Sequence, residues 1–222
     1  EKIPLSVAGL YADNYFALAA GHAESNQEGR IGYEGSYENI YRDSEFYWAY
    51  RLCDYVFKKV QKDKSIIRCL DIGAATGRLL NVFKAGGYQT YGIEFSNPAR
   101  DTAESHGHTM TNQAVESLQV EHEGFDVVTA LEVIEHVENL PEFFLGIARV
   151  MSENGIFLGY FPSADNKYFG IKADYHWLHN SFEHLVYPTE QGIRTAMFAA
   201  FEQNIFTTTF LTVQGDDVIP NP

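Results

Sequence analysis

The chain has 222 residues, of which 45% are hydrophobic, and it carries a formal net charge of −14. This length suits one α/β domain with some decoration, and this apolar content excludes wholesale disorder. No uninterrupted apolar stretch is long enough to span a bilayer. The acidic charge disfavours binding to a phosphate backbone unless a local basic patch exists. We therefore expect a small-molecule substrate rather than a nucleic acid, and a monomer or homodimer.

The cysteines and the opening segment suggest a location. The sequence has two cysteines, and Cys69 lies inside an apolar run where a buried thiol is the ordinary interpretation. A reducing, cytoplasmic setting fits this usage best. The first stretch is polar and lacks the long apolar centre of a signal peptide. We assign residues 1–32 to an N-terminal extension and residues 33–222 to the main domain.

Residues 33–62 are dense in aromatic side chains, several of them at near-helical spacing. The ordinary interpretation is a helix packed on a sheet. We predict a helical lid, with Tyr37 as the candidate for a ring that covers a ligand.

From residue 65 onward, apolar runs alternate with helical patterns. The predicted strands are residues 65–73, 89–96, 108–115, 125–131, 155–163 and 204–213. The predicted helices between them are residues 77–87, 97–107, 141–155 and 189–203. Such alternation predicts a doubly wound α/β fold with a mostly parallel sheet and ligands at the carboxyl ends of its strands.

One segment, residues 163–188, interrupts the alternation. It leaves the carboxyl end of the fifth predicted strand and is rich in aromatic residues and histidine. We predict a substrate-side insertion, with Trp177, His179 and His184 as candidate substrate contacts. A small satellite core under a long loop is the alternative.

The stretch LDIGAATGRLL is the most informative part of the sequence. A strand ends at Asp71, small residues follow at Gly73, Ala75 and Gly77, and a helix then begins. Small residues let the backbone approach a ligand, and the helix start can bind an anion. Glu94, at the end of the next strand, could accept hydrogen bonds from ribose hydroxyls. A dinucleotide fingerprint, Gly-x-Gly-x-x-Gly, matches this run poorly.

The run DIGAATG resembles motif I of the class I S-adenosylmethionine-dependent methyltransferases, Asp-x-Gly-x-Gly-x-Gly, with Ala75 at the middle glycine. The acid in YGIEFS and the segments NQAVESL, FDVVTALEVIEHV and GIFLGYFPS follow in that family's order. The resemblance covers roughly residues 33–213. It implies a seven-stranded, Rossmann-like sheet with helices on both faces, and S-adenosylmethionine as the cofactor. No stretch after residue 213 looks like the family's extra antiparallel strand.

The same resemblance implies a set of cofactor contacts along one edge of the sheet. The residues expected at the methionine end are Asp71, Gly73, Ala74, Ala75 and Gly77. Glu94 is expected at the ribose, Phe95, Ala114 and Val115 at the adenine, and Ala130 and Leu131 at the sulfonium side.

EVIEHV, residues 132–137, follows the fourth strand at the expected place of methyl transfer. Glu132, Glu135 and His136 are our catalytic candidates. His136 could act as a general base, since imidazole titrates near neutrality. Glu135 could instead be purely structural.

A metal site is the third interpretation of this segment. Glu-x-x-Glu-His resembles a metal-binding stretch of the ubiquinone-pathway O-methyltransferases and of the small-RNA 2′-O-methyltransferases. That resemblance implies Glu132, Glu135 and His136 as ligands of a divalent ion such as magnesium or manganese, with His179 or His184 as the fourth.

These observations predict an enzyme that methylates a small molecule, with oxygen as the favoured acceptor atom and nitrogen or carbon as open alternatives. An RNA methyltransferase acting on tRNA or on 2′-hydroxyls is the leading alternative. A degenerate methyltransferase fold that serves as a binding subunit, and a nicotinamide-dependent enzyme, are further alternatives.

Overall fold

A computed structural model describes residues 44–120, 124–165, 184–201, 211–214 and 217–220. The helices are α1 (Ser44–Lys59), α2 (Arg78–Ala85), α3 (Asn97–Ser105), α4 (Leu140–Val150) and α5 (Glu190–Ala200), with short 3-10 helices at Lys64–Ile66 and Ile134–His136. The strands are β1 (Arg68–Ile72), β2 (Gln89–Ile93), β3 (Thr109–Thr111), β4 (Phe125–Leu131), β5 (Met151–Tyr160), β6 (Leu211–Gln214) and β7 (Asp217–Pro220).

The main sheet has five strands in the order β3-β2-β1-β4-β5, and every pairing in it is parallel. Asp71 on β1 stands in register with Gly92 on β2 and with Thr129 on β4. The strand order reverses at β1, so the carboxyl ends of β1, β2 and β4 form the crevice where ligands of such sheets bind. The α/β prediction is confirmed, although the described sheet has five strands rather than seven.

Helices cover both faces of this sheet, because alternate residues of each strand point to opposite sides. On one face, Leu70 and Val128 pack in a core with α4 and α5 residues such as Phe144 and Ile193. On the other face, Cys69 packs with residues of α1 and α2. This two-faced core holds the ends of β1, β2 and β4 in a fixed relation.

The predicted helix over residues 141–155 is too long. Helix α4 ends at Val150, and β5 begins at the next residue, Met151. Met151 pairs with Phe125 on β4, and the register then shifts so that Val127 pairs with Ile156. Pairing with β4 therefore places in a strand the residues 151–155, whose local pattern predicts the end of a helix.

The sequence after residue 213 shows no likeness to the family's extra antiparallel strand, but β7 pairs antiparallel with β6, with Gln214 opposite Asp217. Among the described residues, these two strands form a sheet of their own, separate from the main sheet. Strands of only four residues give a weak sequence signal, so the sequence did not predict β7.

Several predicted segments lie partly outside the described residues. Helix α1 covers the later part of the segment predicted as a lid and packs against the sheet, whereas Tyr37 lies outside. Most of the predicted insertion, residues 166–183, also lies outside, with Trp177 and His179. The domain boundaries stay a prediction. None of the helices in the described ranges is both long and apolar enough to cross a membrane.

A buried histidine lies under the helix start that faces the crevice. His108 is 5% exposed, and its ring nitrogens lie 2.8 Å from Oγ1 of Thr90 and 3.0 Å from Oδ1 of Asn81. A Cβ on Gly77 would lie 2.8 Å from this ring. Burial, followed by Lys84 and His106, lowers the pKa of His108 to about 4. The neutral ring is therefore part of the packing at the start of α2.

We expect acid to destabilise the fold through His108. An unfolded histidine binds a proton near pH 6.5, while the folded one resists protonation until about pH 4. The unfolding free energy should therefore fall as the pH drops between these values, by up to about 3 kcal/mol from this residue. Denaturant titrations of the native protein and His108→Gln across pH 4–7 measure the difference. An identical pH dependence in the two proteins would contradict this assignment.

Candidate functional site

The loop between β1 and α2 has the backbone geometry that its small residues predict. Gly73, Ala75 and Gly77 all adopt positive φ values, of 72°, 46° and 83°. The amides of Gly73 and Ala74 donate to the carbonyl of Ile93 at 2.9 and 3.0 Å. The loop is thus fixed to the end of β2. Ala75 accepts the left-handed conformation in place of the family's glycine.

Glu94 connects the same loop to α3. Its Oε2 accepts a hydrogen bond from the Ala75 amide at 2.9 Å, and its Oε1 accepts one from the Ser96 amide at 2.7 Å. Burial raises the pKa of Glu94, and these amide hydrogen bonds act in the opposite direction. Because each carboxylate oxygen has more than one lone pair, the side chain keeps capacity for ribose hydroxyls.

Asp71 lies inside the sheet at the end of β1 and is 4% exposed. The Thr129 hydroxyl donates a hydrogen bond of 2.6 Å to its Oδ1. Burial raises the pKa of Asp71 to about 7, the Thr129 hydrogen bond opposes this rise, and the Glu94 carboxylate adds to it. The carboxyl therefore titrates near neutral pH.

The other predicted cofactor residues differ in how deeply their side chains are buried. Phe95 is half-buried against the core and Ala114 is half-buried. The side chains of Val115 and Ala130 are 2% and 0% exposed, because both lie in the core beneath the helices. Any contact that these two residues make with a cofactor would therefore use backbone atoms. Leu131 is half-buried at the end of β4, next to the crevice.

The chain turns sharply after β4 into the 3-10 helix Ile134–His136. Glu132 is exposed and has a φ of 56°, and its amide donates to the carbonyl of Tyr160 at 2.8 Å. Left-handed conformations at non-glycine residues are strained and concentrate at functional sites. The strand pairing with β5 thus holds Glu132 in an unfavourable conformation at the carboxyl edge of the sheet.

Glu135 is completely buried just behind this edge. Neither of its carboxylate oxygens has a hydrogen-bond partner of good geometry among the described residues. Burial first, and then the nearby Glu132 carboxylate, raise its pKa to about 8. An unpaired buried carboxylate is costly, so this position calls for a proton or a cation.

Two imidazoles lie next to this carboxylate. Nε2 of His136 is 4.0 Å from Oε1 of Glu135, and the rings of His136 and His184 are 4.9 Å apart. One donor atom from each of Glu135, His136 and His184 can be chosen so that all lie within 4.8 Å of one another. We call these three residues the Glu-His-His cluster. Glu132, the remaining ligand candidate, lies outside it.

Backbone hydrogen bonds bring His184 to this position. The amides of Leu185 and Val186 donate to the carbonyl of Glu135 at 2.8 and 3.1 Å. These bonds hold the end of the predicted insertion against the 3-10 helix. The sequence suggested His184 as a candidate but gave no sign of the bonds that place it.

Sequence reasoning missed Thr129 altogether. Its hydroxyl is 0% exposed and contacts Asp71 across the β1–β4 pairing. The available signal was a single polar residue inside the apolar run VVTAL. Such a buried hydroxyl needs a partner, and the partner is the motif I acid.

The comparisons with known proteins bear on the family and the fold of this chain. A family model described as "Methyltransferase domain" matches residues 44–200. The "Ubiquinone biosynthesis O-methyltransferase" of Rickettsia bellii is 30% identical over 129 residues, which are 52% of this chain and 53% of that protein. The protein of the same name from Rhodopseudomonas palustris is 35% identical over 97 residues, 41% of this chain and 38% of that protein.

A solved structure shows the same fold. The plantazolicin methyltransferase BpumL, in complex with a monoazolic desmethylPZN analog and SAH, superimposes with a TM-score of 0.61 and 14% identity. The superposition covers 90% of this chain and 80% of that one. The curated relatives are matched over about half of their length or less. Since the family model spans most of the sequence, the chain belongs to the methyltransferase domain family, which confirms its resemblance to the class I S-adenosylmethionine-dependent enzymes.

Proposed function

We propose that this protein transfers a methyl group from S-adenosylmethionine to a hydroxyl oxygen of a small molecule, assisted by a divalent cation at the Glu-His-His cluster. The observation that carries this proposal is the fully buried Glu135 carboxylate, which lacks a well-formed hydrogen bond within the described ranges and lies beside two imidazoles. Family membership supports the methyl donor.

The cofactor would lie across the carboxyl ends of β1 and β2. Asp71 and the glycine loop, residues 73–77, would bind the methionine end, and Glu94 would bind the ribose. The hydrogen bond between Glu94 and Ala75 couples these two parts of the site. A preformed loop lowers the entropy lost on binding.

The donor set of the cluster fits a divalent cation. One carboxylate suits manganese or magnesium, and two imidazoles extend the choice towards zinc or iron. Glu135, His136 and His184 would hold the ion. A cation would favour the ionised form of Glu135, whose pKa is otherwise raised to about 8 by burial and by the Glu132 carboxylate. When bound, it would supply a lower pKa for an acceptor hydroxyl.

The protein's own residues then position the acceptor. The 3-10 helix follows directly from β4, so the cluster lies beside the expected methyl-transfer site. Leu185 and Val186 fix the segment that carries His184. Half-buried Phe161 and Tyr187 lie near this edge of the sheet and would help to exclude water. Holding the hydroxyl in line with the methyl group is worth several kcal/mol of the barrier.

The substrate class follows from charge and from the relatives. A net charge of −14 disfavours a polyanionic substrate such as RNA. The curated relatives are named for O-methylation in ubiquinone biosynthesis. A hydroxylated aromatic small molecule is therefore the favoured acceptor, and RNA is the alternative.

The test is methyl transfer from labelled S-adenosylmethionine to a panel of catechols, phenols and short RNAs, with added Mn²⁺, Mg²⁺ or Zn²⁺ or with EDTA. We expect methylation of a hydroxylated aromatic compound that EDTA abolishes and one of the metals restores. Transfer of the labelled methyl group to an RNA instead of a small molecule would contradict the small-molecule proposal and favour an RNA substrate. Activity that withstands EDTA and the change His184→Ala, but not His136→Ala, would favour His136 as a general base without a metal.

A further inference from the structure

Thr129 is a buried hydroxyl that the proposed methyl-transfer chemistry does not use. It lies on the interior strand β4, directly in register with Asp71 on the central strand β1. Its Oγ1 is 2.6 Å from Oδ1 of Asp71 and 3.4 Å from the carbonyl oxygen of Leu70. A hydroxyl has one hydrogen to donate, so the shorter contact identifies the carboxylate as the acceptor.

The surroundings of Asp71 oppose its charge. Asp71 lies on β1, which is flanked by β2 and β4, and the residue is 4% exposed. Burial is the first cause that raises its pKa, and the Glu94 carboxylate is another. Cys69, two residues earlier on the same strand, stays a neutral thiol because burial raises its pKa well above the usual value. Among these neighbours, the Thr129 hydroxyl is the group that favours the ionised form.

The charge of Asp71 matters for the proposed cofactor site. The methionine end of S-adenosylmethionine carries an ammonium group, and an ionised carboxylate attracts it while a protonated one does not. We propose that Thr129 is a positioning residue that stabilises the ionised form of Asp71 and thereby extends to lower pH the range in which the cofactor binds. This inference rests on the cofactor role proposed for Asp71.

The hydrogen bond has a defined effect on binding. Removing a hydrogen bond to a charged group makes the charged form less favourable. A tenfold change in the ionisation equilibrium moves the midpoint of the titration by about one pH unit. With Thr129→Val, a cofactor analogue should therefore bind about ten-fold more weakly near pH 6. At pH 8.5, where Asp71 is mostly ionised in both proteins, the two affinities should differ by no more than about two-fold.

The test is calorimetric binding of S-adenosylhomocysteine from pH 5.5 to 8.5, since binding alone does not depend on the acceptor or on the Glu-His-His cluster chemistry. Thr129→Val tests the inference, Thr129→Ser restores the hydroxyl, and Asp71→Asn removes the titrating group. We expect a midpoint about one pH unit higher in Thr129→Val, a native profile in Thr129→Ser, and weak, pH-independent binding in Asp71→Asn. If Thr129→Val does not fold, Thr129→Ala replaces it with the same expected midpoint.

The possible failures are distinct. A uniform loss of affinity at every pH, or an unchanged or lowered midpoint in Thr129→Val, would reduce Thr129 to a packing residue and overturn the inference. Native binding by Asp71→Asn would overturn the inference together with the role of Asp71. No binding by the native protein at any pH would instead contradict the proposed function.

Discussion

Replacing Glu135 with glutamine should reduce kcat by about 10²–10³-fold while leaving the affinity for S-adenosylhomocysteine within about two-fold. The amide has the shape of the carboxylate but cannot carry its charge, so the Glu-His-His cluster loses its only anion. The glycine loop is held by other contacts, from Ile93 and Glu94, so its affinity for the cofactor should not change. Steady-state kinetics and calorimetry of the same preparation measure the two quantities.

Glu138→Gln is the matched control. This residue is exposed and follows Glu135 closely in sequence, so the same chemical change occurs outside the cluster. We expect native activity from it. A Glu135→Gln enzyme with native kcat would show that the buried carboxylate only shapes the fold. Loss of cofactor binding together with activity would point to a folding defect, and thermal unfolding would reveal it.

Gly73→Ala should weaken S-adenosylhomocysteine binding by about 10–100-fold. Gly73 has a φ of 72°, and an added Cβ would lie 2.6 Å from Cγ2 of Val133. A left-handed alanine costs about 1–3 kcal/mol, and the contact with Val133 displaces the loop that would bind the cofactor. Isothermal calorimetry measures the affinity, and chemical denaturation measures the cost to stability.

Two further variants separate the causes. Gly87→Ala carries a similar left-handed cost, with φ 96°, but its nearest neighbour would be 3.6 Å away and it lies far from the crevice. It should lower stability by about 1 kcal/mol without affecting binding. Gly73→Ala combined with Val133→Ala should recover part of the lost affinity. Native affinity in the single Gly73→Ala variant would contradict the proposal that the glycine loop binds the cofactor.

The backbone geometry of the proposed cofactor half of the site could largely be predicted from the sequence. Asp71, Gly73, Gly77 and Glu94 stand at strand ends and turns, where local pattern and residue type agree. Positive φ values at Gly73 and Gly77 follow directly from the turn that the strand-to-helix pattern requires. The structure added the hydrogen bond from Ala75 to Glu94, which no spacing reveals.

The geometry of the proposed acceptor half could be predicted only in part. EVIEHV marked Glu135 and His136, but its local pattern gives no sign that Glu135 is completely buried. His184 reaches the cluster because Leu185 and Val186 donate to the Glu135 carbonyl, which is a tertiary contact. Thr129 looked like one residue of an apolar strand until the register placed it opposite Asp71.

The most direct test of the proposed cation site is divalent-metal binding by calorimetry in the presence of S-adenosylhomocysteine. Mn²⁺, Mg²⁺ and Zn²⁺ are titrated separately into the native protein and into Glu135→Gln. We expect one ion per chain in the native protein for at least one of these metals, and its loss in the variant. No heat of binding from any of the three metals, or equal binding by both proteins, would contradict a cation site at Glu135, His136 and His184.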